Sequence, residues 1–182
     1  MDAIIEIAEK HNLKIIEDCA QAHGCLYKGR LVGTMGDIGV FSLNVNKTIQ
    51  TGEGGICVTN NDDLSYRLKL IRNHGEAVVG PAGYQKITNV AGYNYRMTEI
   101  IAAVASVQLK KLKNLNKERI KMVQWLSKRI NSYDFLQTLI NRPECENCSC
   151  LKNLKCKPTY YILPIRFLSE KTNVSRNEFI KA

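Results

Sequence analysis

The sequence predicts an α/β fold built on a mainly parallel sheet, and three observations predict it. Amphipathic helical segments alternate with short, apolar, β-branched runs, the pattern of strands joined by helices. Asp18 follows directly on Ile15-Ile16-Glu17, which puts a carboxylate at the carboxyl end of a strand, where such sheets hold ligands. Residues 38–43 and 56–59 are two further strand-like runs, and the connection between them carries Lys47 together with Gly52, Gly54 and Gly55.

Each element has its own signal. Residues 2–10 carry Ile4, Ile5, Ile7 and Ala8 among charges, which predicts an amphipathic helix ending near His11 and Asn12. Residues 14–17 read as a short buried strand, followed by a polar turn that holds Gln21 and His23 and closes at Gly24. Residues 27–31 predict a small hairpin, and Gly33, Gly36 and Gly39 punctuate the approach to the next strand. A helix is expected over 61–73, with Asn61 as its cap, leucines on one face and Gly75 beyond its end. The long irregular stretch that follows contains Gly80, Pro81 and Gly83 and runs to Arg96; a loop of this length serves a site or an interface. Thr98 caps the next helix. Residues 100–115 are apolar on nearly all sides and so pack in a core or against a partner, and a second helical stretch over 118–130 follows with little or no break. Beyond Tyr133 come proline and cysteines, then a strand over 160–167, then Ser175 with Glu178, a capping-box start of a final helix.

Bulk properties narrow the function classes. With 182 residues, 45% of them hydrophobic, the chain can form one domain and part of another. The longest apolar run, 100–107, is too short to span a bilayer, and the N-terminus shows no signal pattern, so no membrane partner is expected and the cytoplasm is the expected location. Seven cysteines, an odd number without a secretion signal, argue for reduced thiols or metal ligands over a disulfide framework. A net charge of +9 suits anionic partners, phosphorylated small molecules among them. Much of it lies in one helical stretch, Lys110, Lys111, Lys113, Lys117, Arg119, Lys121, Lys128 and Arg129. Trp125 alone among the aromatics falls there and no nucleic-acid module is present, so nucleic acid is not an expected partner.

A carboxylate after a strand, an amine in a glycine-rich loop and hydroxyls beside that amine are the residue types that pyridoxal 5'-phosphate needs. Its aldehyde is held by a lysine, its pyridine nitrogen is kept protonated by a carboxylate, and its phosphate is anchored by neutral donors. Lys47 and Asp18 fill the first two roles, and Ser42 and Thr51 offer hydroxyls for the third. Plainer readings stand beside these: a solvated lysine, a turn or cap aspartate, and polar side chains that satisfy nearby backbone.

The motifs around these residues resemble those of the DegT/StrS-type sugar-nucleotide aminotransferases, a family of fold-type-I pyridoxal phosphate enzymes. Ile16-Glu17-Asp18-Cys19-Ala20-Gln21-Ala22-His23-Gly24 is similar to the family's E-D-x-A-Q-A-x-G segment. Gly39-Val40-Phe41-Ser42, through Lys47 to Thr51-Gly52-Glu53-Gly54-Gly55, is similar to its lysine segment. Arg72-Asn73-His74-Gly75 and Gly92-Tyr93-Asn94-Tyr95-Arg96-Met97-Thr98-Glu99-Ile100 resemble further family motifs, so the likeness covers most of residues 1–130.

The resemblance implies an aspartate-aminotransferase-like fold with helices on both faces of the sheet. Residues 1–115 would be the second half of the large cofactor-binding domain, and residues 116–182 a connecting helix and the beginning of a small C-terminal α+β domain. It implies that Lys47 bonds to the cofactor and shuttles the catalytic proton, that Asp18 pairs with the pyridinium nitrogen, that Gln21 lies by the ring, and that Ser42 donates to the phosphate. Asn94 would reach the phosphate in the neighbouring subunit of a homodimer; its plainer reading is a loop residue in a left-handed conformation. The reaction implied moves an amino group, usually from glutamate, to a keto sugar on a nucleotide diphosphate. Lysine at position 47 favours transamination over the dehydratase branch, which has histidine there.

Two features depart from the family pattern. Family members have an N-terminal segment ahead of the 2–10 helix, with a phosphate-binding turn and a ring-stacking aromatic, so the expectation is about half an aminotransferase, poorly stable and with little or no activity alone. Cys145, Cys148, Cys150 and Cys156 form a cluster that reads either as a zinc or other thiophilic metal site or as free thiols, because its spacing matches no standard zinc motif. Cys19, Cys25 and Cys57 read as small buried residues beside the sheet. The alternative function is a catalytically dead binding protein of the same fold with zinc in the cysteine cluster.

Overall fold

The computed structural model describes residues 1–75, 91–138, 140 and 156–182. Helix α1 (Asp2–Lys10) has an acid in its first turn and a base in its last, which suits the helix dipole. Of its apolar face only Ala8 is buried, while Ile4 and Ile7 face solvent.

Strand β1 (Ile16–Asp18) begins later than the sequence predicts. The reason is Asp37: its Oδ2 accepts the Ile15 N–H at 2.8 Å and its own N–H donates to the Ile15 carbonyl, so Ile15 pairs with a side chain before the ladder starts. The expected polarity is also reversed. Ile16 is 67% exposed while Glu17 is buried, because the Glu17 carboxylate accepts N–H bonds from Gly33, Met35 and Gly36 at 2.6–2.8 Å. A buried charge with three donors has its desolvation cost largely offset.

The predicted hairpin is present as β2 (Leu26–Tyr27) and β3 (Arg30–Leu31), turning through Lys28 and Gly29 with φ of 50° and 83°. Strands β4 (Ile38–Ser42) and β5 (Gly55–Val58) complete a three-stranded sheet of order β1-β4-β5. β1 lies parallel to β4 with Asp18 opposite Val40, and β4 lies antiparallel to β5 with Ser42 opposite Gly55. The parallel pair is the one the α/β pattern predicts. β5 reverses because residues 43–54 double back on themselves, with Leu43 N–H on Gly54 O and Val45 N–H on Gly52 O. Gly39 is required by close approach: a Cβ there would overlap the backbone of Gly33.

Helix α2 (Asp62–Arg72) starts at the predicted cap, with Asn61 Oδ1 accepting the Leu64 N–H at 2.9 Å. Beyond Gly75, residues 76–90 of the long irregular stretch lie outside the described residues. Its far end returns to α2 through the Asn73–Asn94 bridge. Helix α3 (Glu99–Ile130) is one continuous helix of 32 residues, so the boundary expected after residue 115 falls inside it. The stretch over 100–115, expected to be packed on nearly all sides, has exposed apolar residues on opposite sides in the described structure: Ile100 is 78% and Leu109 60% exposed.

Strands β6 (Leu136–Thr138) and β7 (Ile165–Phe167) pair antiparallel. The strand predicted over 160–167 is shorter: Tyr160 takes a φ of 52°, which no extended strand accommodates, and Pro164, which has no N–H for a ladder, stands directly before β7. Helix α4 (Arg176–Lys181) has the predicted capping box, and Phe179 stacks on Phe167 with centroids 4.8 Å apart. The buried apolar residues include Leu43, Ile49, Leu70 and Val123. Among the described residues no helix is long and apolar enough to cross a membrane.

Candidate active site

Because β1 and β4 run parallel, their carboxyl ends lie on one side of the sheet. Asp18 ends β1 and Ser42 ends β4. The loop leaving Ser42 carries Lys47, whose N–H donates to the Asn44 carbonyl at 2.9 Å. Thr48 and Ile49 are buried and anchor the loop just past Lys47. The structure therefore brings Asp18 and Ser42 to adjacent strand ends and puts Lys47 on the loop that leaves the second.

Their partners show what each can still do. The Lys47 ammonium lies 4.8 Å from the centroid of the Tyr161 ring and has no ion pair among the described residues. Asp18 is exposed, and its Oδ1 accepts the Ala20 N–H at 3.0 Å, the bond of a turn aspartate; among the described residues its Oδ2 has no partner. Ser42 Oγ accepts the Asn44 N–H at 3.2 Å and keeps its own proton to donate. Thr51 does not: its hydroxyl donates to the Glu53 carbonyl at 2.8 Å, which corrects its assignment as a phosphate donor. Gln21 is exposed in the turn after β1. Asn94 is not gathered with the others but stands by the end of α2, its Oδ1 accepting Arg96 Nε–H at 3.0 Å and its amide protons uncommitted.

Sequence reasoning missed the side chains that tie these parts together. His23 is buried, and its Nε2–H donates to the Ser42 carbonyl at 2.8 Å, joining the turn after β1 to the end of β4. Burial pushes its pKa below the ordinary value, the Ser42 bond opposes this, and Lys47 and Arg119 reinforce it. The ring is neutral, and its Nδ1 is a buried acceptor without a partner among the described residues. Asn116 Nδ2 donates to the His23 carbonyl at 2.9 Å and Arg119 Nη1 donates to Thr48 Oγ1 at 2.6 Å, both from α3. A signal was available for Asn116, a polar residue on the stripe that otherwise holds Leu112 and Val123.

Of the cysteine cluster, Cys145, Cys148 and Cys150 lie outside the described residues, and Cys156 Sγ accepts the Lys28 N–H at 3.3 Å. Among the described residues no three His, Cys, Asp or Glu side chains gather as a metal site would require. Cys19 is buried as expected, Cys25 is half-buried against the Thr159 hydroxyl at 3.1 Å, and Cys57 is exposed because this side of β5 is left uncovered.

Residues 1–181 match the DegT/DnrJ/EryC1/StrS aminotransferase family. The chain belongs to that family. It is 45% identical over 132 residues to GDP-perosamine synthase of Escherichia coli O157:H7, a match that covers 72% of this chain and 35% of that protein. It is 35% identical over 139 residues to UDP-4-amino-4,6-dideoxy-N-acetyl-beta-L-altrosamine transaminase of Campylobacter jejuni, covering 76% of this chain and 36% of the relative. The aminotransferase of Psychrobacter cryohalolentis superposes with a TM-score of 0.82 at 32% identity, covering 99% of this chain and 47% of that structure. The chain thus spans about a third of the length of these curated relatives. The family is the one that the motifs around Asp18, Lys47 and Asn94 resemble, and its fold accounts for the α/β architecture.

Proposed function

We propose that this chain carries the lysine-bearing part of a pyridoxal-phosphate-dependent aminotransferase that moves an amino group, from glutamate, to the keto group of a nucleotide-diphosphate sugar. The observation that carries the reading is Lys47: an amine on a doubled-back loop at the carboxyl end of β4, free of any carboxylate among the described residues, beside the strand that ends in Asp18. The names of the relatives support the substrate class, since one is a GDP-perosamine synthase and another a transaminase of a UDP-linked amino sugar.

The residues present fit the cofactor. Among the described residues Lys47 has an amine free of carboxylates beside the Tyr161 ring, Asp18 an oxygen without a partner, Ser42 a hydroxyl proton and His23 a buried acceptor without a partner. When bound, the cofactor supplies an electron sink that stabilises negative charge on the substrate carbon. Lys47 Nζ would hold the cofactor's aldehyde carbon and would carry the proton between the substrate carbon and the cofactor carbon. Asp18 would pair with the pyridine nitrogen and keep it protonated, Ser42 would donate to the phosphate, and Gln21 would lie by the ring. Asn94 offers its amide protons to the phosphate in a second subunit. The dimer this requires is supported by the uncovered apolar side chains of α3, Ile100, Val104 and Val107. A basic chain with a net charge of +9 suits a diphosphate-bearing substrate in the cytoplasm.

Titrating the chain with pyridoxal 5'-phosphate tests the reading. The wild type is expected to develop the visible absorption band of covalently held cofactor, Lys47→Ala to lose it, and Asp18→Asn to bind about tenfold more weakly, the loss of one charge-assisted bond. A Lys47→Ala chain that kept the band would refute the assignment.

A further inference from the structure

Two side chains one turn apart on α3 reach the two arms of the site separately. Asn116, 4% exposed, donates from Nδ2 to the His23 carbonyl at 2.9 Å, on the arm that follows Asp18 and Gln21. Arg119 donates from Nη1 to Thr48 Oγ1 at 2.6 Å, on the arm where Thr48 adjoins Lys47. His23 then closes the bracket by donating to the Ser42 carbonyl at 2.8 Å. Neither arm has slack. Gly24 takes a φ of 75°, and a Cβ there would come within 2.8 Å of Asn116 Nδ2, so the turn rests directly on α3. Thr48 is 8% exposed, and its hydroxyl holds a guanidinium that has no ion pair among the described residues.

We propose that Asn116 and Arg119 are positioning residues: α3 uses them to set Lys47 against Asp18 and Ser42. The proposal rests on the reading of Lys47 as the cofactor lysine. Two strand ends fix where Asp18 and Ser42 stand, but Lys47 lies five residues beyond Ser42 in a loop, where the Tyr161 ring faces its amine and the Arg119–Thr48 bond holds the backbone beside it. An error of about 1 Å in such placement costs up to about a hundredfold in rate. Arg119 has a second effect through charge. Burial is the main reason the His23 pKa is lowered, and Lys47 and then Arg119 add to it through charge.

The test compares wild type, Arg119→Met, Arg119→Lys, Thr48→Val and a control, Lys128→Ala, exposed near the end of α3. Nitrogen NMR of the His23 ring needs no cofactor. The wild type is expected to show the neutral Nε2–H tautomer and to titrate below the ordinary 6.5; Arg119→Met moves the midpoint upward and Arg119→Lys restores it. Capture of pyridoxal 5'-phosphate at Lys47 is expected to weaken about tenfold in Arg119→Met and in Thr48→Val, and no further in the double variant, because both remove one bond. An Arg119→Met chain whose His23 titration and cofactor capture both match the wild type overturns the positioning role. So does a capture loss that only tracks a lowered unfolding midpoint, with His23 unmoved. If the wild type itself captures no cofactor, the functional reading falls, and the His23 titration still decides whether Arg119 holds this arm.

Discussion

Cys19 and His23 both follow Asp18 in the turn beyond β1, are both buried, and respond to pH in opposite senses. Burial drives the His23 pKa below 6.5, so the unfolded chain binds a proton there that the folded chain refuses. Stability from this residue is present above about pH 6.5 and is lost as the pH falls below it. Burial, then Glu17 and Asp18, pushes the Cys19 thiol from 9.0 up to about 11, so the folded chain keeps a proton that the unfolded chain releases, and stability is lost as the pH rises beyond 9.0. Urea midpoints are therefore expected to peak between about pH 7 and pH 9 and to fall on both sides, and His23→Gln is expected to flatten the acid limb. The motifs around Asp18 and Lys47 made the family legible, because a short motif names residue types. They did not show that Thr51 would spend its proton on Glu53 or that Glu17 would be the buried member of β1, since those depend on which backbone groups the fold brings near.

The loop over 43–54 is the element on which the site depends. Its ends are laced like a strand pair, and Leu43, 1% exposed, is the apolar peg at its base. Gly54 takes a φ of 150°, a conformation that side chains rarely adopt, with the Leu43 side chain 3.5 Å from where a Cβ would sit. Leu43→Ala is expected to cost about 3 kcal/mol in urea unfolding and to loosen the Lys47 loop at the same time, visible as faster amide exchange at Asn46 and Lys47. A loss below about 1 kcal/mol would show that the loop is held elsewhere. Element types were legible where chemistry is local: the Asn61 cap of α2, the hairpin through Gly29 and the Ser175–Glu178 capping box all stand where the sequence puts them. Element limits were not: the Asp37 side chain delays β1, a contact that strand propensity does not weigh, and β7 begins only after Pro164.

At the scale of the molecule, apolar periodicity identified faces without identifying what covers them. Ile4, Ile7, Ile16, Ile100 and Val107 are all exposed in the described structure, and the proposed dimer would cover the last two. The site, by contrast, is assembled by long-range contacts within the chain: β1, β4, the loop beyond β4 and the middle of α3 meet although residues 18 and 119 are far apart in sequence. That assembly is what should single out one lysine among the many on this basic surface. Peptide mass mapping after borohydride reduction with limiting pyridoxal 5'-phosphate reads this directly. The account predicts a reduced adduct on Lys47 with the exposed lysines of α3 unmodified; adducts spread over Lys110, Lys113 and Lys117 with Lys47 bare would contradict it.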